Sequence, residues 1–137
     1  MGHSWTSFNG QHLHTKDHVL TFWLFLIGRE IKQSYSHINW LMEAREHWLE
    51  EAKVSINGCI DPKLDEYLNT DEKVTQFTQV ISSIVAQFES FGDNNPTRFL
   101  NEVYQYSYPF EIMKEYETQY YLVYGQDLLR LVSSLES

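Results

Sequence analysis

His12, His14 and His18 fall within seven residues of one another, with Asp17 beside them. Imidazole nitrogens and carboxylates are zinc ligands, so a metal site can be drawn here. The spacing matches no standard zinc pattern, however, and no cysteine lies near. His12 and His14 also precede the expected start of the first helix. The expectation is therefore an exposed polar N-terminal segment, residues 1–16, with no metal and no cofactor. Glu43 and His47 stand one helical turn apart, with Glu46 adjacent. Di-iron bundles use Glu-x-x-His on two helices together with two further glutamates. Here the offset is four and there is no second copy, so a solvent-facing pair is expected.

Nucleophilic chemistry finds less support. Cys59, the single cysteine, follows the turn signal Asn57-Gly58. A reactive thiol needs a basic or imidazole neighbour to form thiolate, and none is adjacent in sequence. A small buried thiol at a helix junction is the reading. One cysteine also excludes a disulfide framework within the chain. There is no Gly-x-Ser-x-Gly elbow, no glycine loop for phosphate and no dinucleotide fingerprint. No catalytic residue is assigned, and the chain is read as a binding protein rather than an enzyme.

The tyrosines carry more. Seven of nine fall in residues 104–124: Tyr104, Tyr106, Tyr108, Tyr116, Tyr120, Tyr121 and Tyr124. Glu102, Glu111, Glu115 and Glu117 accompany them, with Lys114 the only base. Tyrosine is stiff and amphipathic and is enriched at binding hot spots. Its ring packs on guanidinium groups, and carboxylates accept paired hydrogen bonds from arginine. Glu102, Tyr104, Tyr106, Tyr108, Glu111, Glu115 and Glu117 are thus candidate contacts for a basic protein. Asp61, Asp65, Glu66, Asp71 and Glu72 form a second acidic cluster. Tyr116 and Tyr120 share helical spacing with Ile112 and Val123, so about half of these rings are expected in the core. A tyrosine patch of this kind also suits a homodimer seam.

These residues need helices to position them. Apolar spacing is helical over most of the chain. Asp17 is placed to cap a helix over 18–34, whose stretch Val19–Ile27 is apolar except for Thr21. That stretch is too short to span a membrane and is expected to be a helix buried at the centre. Ser36 is placed to cap a second helix over 38–54, with Ile38, Leu41, Met42, Trp48, Leu49 and Ala52 inward. Asp61-Pro62 opens a short helix to Leu68, and Thr70 caps a longer one over 71–91. Asn95-Pro96 starts another helix to about Tyr106, Pro109 begins the next, and Gly125 separates that from a last amphipathic helix. Tyr104–Tyr108 alternates like a strand, but the helical reading is preferred. The predicted fold is all-α, a compact single-domain bundle of six or seven helices around a central buried N-terminal helix, over 17–137.

The charge balance narrows the partners. The chain of 137 residues has a formal net charge of −9. Residues 1–60 hold five Lys/Arg against six Asp/Glu, and residues 61–137 hold five against thirteen. The later half therefore carries nearly all the excess. Such a surface repels phosphate backbones and anionic membranes and steers a basic partner inward. The segment 1–16 lacks the charged start and apolar run of a secretory signal, and the expected compartment is the cytoplasm.

The run Thr70-Asp71-Glu72-Lys73-Val74, the close Ser90-Phe91-Gly92-Asp93, Pro96 with Phe99-Leu100-Asn101, and Tyr121-Leu122, Gly125 and Asp127-Leu128 form a recurring layout of helix starts. Over the C-terminal two-thirds this resembles the small acidic all-α immunity proteins of bacterial polymorphic toxin systems, including contact-dependent growth inhibition. The resemblance implies an inhibitor that binds a cognate toxin domain, with no shared catalytic residues to carry over. Many such toxins are nucleases with basic clefts, which an acidic helical surface can fill as a phosphate mimic. Another protein-binding inhibitor or adaptor, such as a phage-encoded nucleic-acid mimic, has the same chemistry. A metal-dependent helical enzyme using His12, His14, His18 or His47 is the remaining alternative.

Overall fold

Residues 3–16 depart from the sequence expectation, because they form a β-hairpin and not a polar extension. The computed structural model describes residues 3–54, 60–90 and 115–133, with the side chains of all but 3, 17, 18, 54 and 115–120. Strand β1 (His3–Phe8) pairs antiparallel with β2 (Gln11–Lys16), setting Trp5 opposite His14 and Ser7 opposite His12. Asn9 and Gly10 make the turn with φ of 52° and 80°. Two left-handed residues in a two-residue loop match the right-handed twist of the flanking strands, which is why Asn-Gly is favoured there. Side chains alternate across the ribbon. Ser4, Thr6 and Phe8 are buried against the helices, and Trp5 stands 58% exposed on the outer side.

Five helices follow among the described residues: α1 (Asp17–Ser34), α2 (Asn39–Val54), α3 (Leu64–Tyr67), α4 (Asp71–Ser90) and α5 (Glu115–Ser133). The fold is therefore mostly helical with a small antiparallel sheet, and the all-α bundle of six or seven helices is overturned. One miscount has a clear cause. Gly125 does not break the chain into two helices but lies inside α5. The Trp23 ring of α1 presses on it so closely that a Cβ there would collide with the indole. Trp23 Nε1 donates to the carbonyl of Tyr121 at 2.8 Å, one turn earlier. The glycine thus provides space for a neighbour, and a helix tolerates it at a cost of about 1 kcal/mol.

Every residue of Val19–Ile27 is buried, as a helix apolar on all sides requires. The hairpin, α2, α4 and α5 all contact α1. Close approach of α1 and α2 depends on Gly28, where a Cβ would lie 2.8 Å from Leu49 Cδ2. Arg45 of α2 then donates from Nε to the Gly28 carbonyl at 2.7 Å. Leu41, Ala44, Trp48 and Ala52 form the buried face of α2, and Val74, Phe77, Val80, Ile81, Ile84, Val85 and Phe88 that of α4. Thr6 Oγ1 and Tyr124 OH share a buried hydrogen bond of 2.9 Å, which ties β1 to α5.

The capping details divide. Thr70 Oγ1 accepts the Lys73 N–H at 3.2 Å, as a helix cap does. Lys16, not Asp17, precedes α1, and it gives no side-chain cap. The first bond of α2 runs from Met42 N–H to the Ile38 carbonyl, so the cap position is Ile38 and not Ser36. Asp61 accepts the Lys63 N–H at 2.9 Å in a local turn, and Lys63 sits in the left-handed region at φ 53°. That turn delays α3 to Leu64. The expected helix over 95–106, residues 110–114 of the next, the strand reading of Tyr104–Tyr108, and Cys59 lie outside the described residues, and the rest of the helix expected over 110–124 falls within α5.

A candidate protein-binding surface

Trp48 is the buried pin on which this surface is built. Its ring is wholly buried, and Nε1 donates to the Pro62 carbonyl at 2.7 Å. An indole N–H needs such a partner when buried. This bond holds the turn before α3 against α2. Tyr67, at the end of α3, then meets the Trp48 ring edge-on, with centroids 5.6 Å apart. His47, next to Trp48 on α2, lies 5.7 Å from the same Tyr67 ring. Its Nε2 is 3.7 Å from Glu51 and 3.4 Å from the Asp61 carbonyl. The expected pairing of His47 with Glu43 is replaced by a contact with Glu51, one turn the other way.

Glu43 instead acts on Tyr67. Burial first, then the negative charges of Glu66 and Glu43, push the Tyr67 phenol above its ordinary range. A phenolate beside two carboxylates is disfavoured by like charge. The half-buried ring thus has an exposed carboxylate from α2 and another from α3 within electrostatic reach. Asp61, Asp65, Glu66, Asp71 and Glu72 are all exposed. Asp65 also accepts the backbone N–H of Asn9 at 2.8 Å, which joins the hairpin turn to α3. At the other end, Trp40 Nε1 donates to Gln76 Oε1 at 2.6 Å, and Lys73 Nζ lies 5.6 Å from the Trp40 ring. These contacts bring the start of α4, with Asp71 and Glu72, against the start of α2.

Part of this charge has structural work. Asp61 and Asp65 satisfy backbone donors, and Asp71 and Glu72 lie in the first turn of α4, where the helix dipole favours them. Glu46 is 3.7 Å from Arg45. Even so, residues 39–72 carry nine carboxylates against Arg45, Lys53 and Lys63. Among the described residues, no Lys or Arg forms an ion pair with Glu43 or the five acids of the second cluster.

No protein-family model, curated protein or solved structure matches this chain. The reading of the surface therefore rests on its chemistry. The tyrosine-rich candidates Glu102, Tyr104, Tyr106, Tyr108 and Glu111 lie outside the described residues. Glu115 and Glu117 fall within α5, with their side chains outside the described ones. Tyr121 and Tyr124, each 4% exposed, belong to the core. Glu43 and Tyr67 were missed as a pair because 23 positions separate them. The spacing of Glu43 on the polar face of α2, and a tyrosine next to Glu66, were the available signals.

Among the described residues no three His, Cys, Asp or Glu are grouped to hold a metal ion. A void about the size of one water molecule lies between Leu20, Leu24, Trp48, Phe77 and Leu128. Small-molecule sites are roughly 300–1,000 Å³. No helix among the described residues is long and apolar enough to cross a membrane.

Proposed function

We propose that this chain is an immunity-type inhibitor, which neutralises a basic toxin domain of the nuclease kind by covering its phosphate-binding cleft in the cytoplasm. The observation that carries this reading is the half-buried ring of Tyr67, packed on His47 and Trp48 where α3 meets α2, amid the exposed carboxylates of Asp61, Asp65 and Glu66 on its own segment and of Glu43 on α2. Such a surface matches an arginine or lysine side chain. Carboxylates accept its hydrogen bonds, and the phenol ring offers a stacking face. The charge of the later half and the Tyr/Glu composition of residues 102–117 extend the same chemistry. Steering by the acidic field speeds encounter, and aromatic anchors slow release.

The reading predicts a basic toxin domain encoded immediately beside this chain's gene, and that domain is the test partner. Mixed with the full-length protein, it forms a complex whose association rate falls as salt rises. Reversing Glu43 and Glu66 to lysine slows association at low salt by about tenfold or more, the scale of electrostatic steering. Reversal of Glu111 and Glu115 weakens the complex by more than about 1 kcal/mol, the usual threshold for a contact that matters. A complex indifferent to salt and to all four reversals would remove the acidic surface from the mechanism.

A further inference from the structure

The outer face of the hairpin is chemically unlike the rest of the described surface. His12 and His14 are alternate residues of β2, so both project from one side of the ribbon, about 6.8 Å apart along the strand. Both are exposed. Each is steadied by the residue directly across the ladder. Ser7 Oγ lies 2.7 Å from His12 Nδ1, and the Trp5 ring packs on His14 with centroids 4.6 Å apart. Trp5 also meets His12 edge-on at 6.2 Å. Two imidazoles on one face of the ribbon, with one ring nitrogen of His12 already engaged by a hydroxyl, supply the donor types and the oriented ring that a chelate uses.

We propose that His12 and His14 form a two-histidine chelate for a borderline divalent transition metal of the copper, nickel and zinc group. Imidazole suits these ions, and copper(II) is held most tightly among them. Nε2 of His12 is the ligand atom. Metal binding there selects the tautomer in which Nδ1–H donates to Ser7 Oγ. His14 supplies the second nitrogen, with its ring orientation set by Trp5. The remaining coordination positions are filled by water or by donors of another molecule. His18 belongs to α1 and not to β2.

Trp5 is the built-in reporter, because a paramagnetic ion held between its neighbours quenches its emission. The experiment titrates the full chain with copper(II) sulfate at neutral pH, by fluorescence and calorimetry. His3 is replaced by glutamine throughout, because it lies on β1 with the same alternation as Trp5. Saturable binding is expected at a single site. His12→Gln and His14→Gln each weaken it by about tenfold or more, and Ser7→Ala weakens it by a similar factor, as loss of an orienting hydrogen bond does. Trp5→Phe removes the quenching while calorimetric binding remains, and His37→Gln, on a separate exposed segment, changes neither. All are surface changes, and circular dichroism checks that each variant folds. Titrations of His12→Gln and His14→Gln that coincide with the parent would overturn the proposal, as would binding that never saturates.

Discussion

Trp5 and Tyr67 are both aromatic rings at the surface, and the side chains around them are of opposite character. Trp5 stands well out of the hairpin, with the rings of His12 and His14 both in contact with it. Tyr67 is half-buried in the angle of α2 and α3, with the carboxylates of Glu43 and Glu66 in electrostatic reach. The first ring sits among electron-pair donors that take up protons or metal ions. The second sits among fixed negative charges that favour a cationic side chain. The same ring chemistry therefore serves different ligands, and the neighbours decide which. The two regions also differ in support. The acidic edge hangs on a buried indole bond, Trp48 to Pro62, and the hairpin on a buried hydroxyl pair, Thr6 with Tyr124.

The largest expected effect follows from that difference in support. Trp48→Ala removes a fully buried ring and the donor that holds Pro62, at a cost of about 3–5 kcal/mol on the usual scale of large-to-small core changes. Denaturant unfolding measures the total. Hydrogen exchange locates it: amides of Leu64 to Leu68 should lose protection well before those of the hairpin. Equal loss in both regions would mean that they unfold as one unit, and the contrast between their supports would have no energetic content.

On the hairpin side the expected cost is smaller. Thr6→Val leaves the Tyr124 hydroxyl buried without its partner, a loss of about 1–3 kcal/mol. Tyr124→Phe leaves the Thr6 hydroxyl in the same position. The double variant should recover most of the loss, since two apolar groups replace a bonded pair. Alkaline pH probes the same bond. Burial raises the Tyr124 phenol far above its usual range, and the Thr6 hydrogen bond is the smaller, opposing cause. The contribution is intact below the unfolded value of about 10. Above it the unfolded chain releases the proton that the folded chain retains, so stability falls as pH rises. Tyr124→Phe should flatten that decline. An unchanged alkaline profile would show that another group controls it.

The helices were legible because their cores repeat at helical spacing. Val74, Phe77, Ile81, Ile84, Val85 and Phe88 are the stripe that the sequence implies for α4, and Thr70 caps it. The hairpin was not legible from apolar periodicity, because two of its three buried residues are Ser4 and Thr6. Small hydroxyl residues conceal an inward face unless a partner such as Tyr124 is known. The sequence did hold one direct signal, Asn9-Gly10 between alternating residues, which the His-rich composition of the segment obscured. Gly125 misled for a different reason: a helix breaker and a site of close approach read alike until Trp23 is seen against it. At the acidic edge the exposed charges of residues 61–72 were readable from type alone, since unpaired Asp and Glu stay in solvent. The partnership of Glu43 with Tyr67 depends on how α3 folds back on α2, a tertiary fact set by Trp48 and Pro62.

The smallest expected effect concerns the link between the two regions. Asp65 accepts the Asn9 N–H at the hairpin turn, a side-chain hydrogen bond that joins the hairpin to α3. Its exposure keeps it weak, so Asp65→Ala should cost less than about 1 kcal/mol. The informative quantity is its effect on each neighbour separately. If the hairpin and the acidic edge respond independently to their ligands, Asp65→Ala leaves copper binding at His12 and His14 unchanged and slows association with a basic partner only slightly, through loss of one charge. If the turn transmits position between them, Asp65→Ala alters both by more than the charge accounts for, and Asp65→Asn, which retains a carbonyl acceptor, restores copper binding without restoring the charge. The pair of variants therefore separates a mechanical link from an electrostatic one.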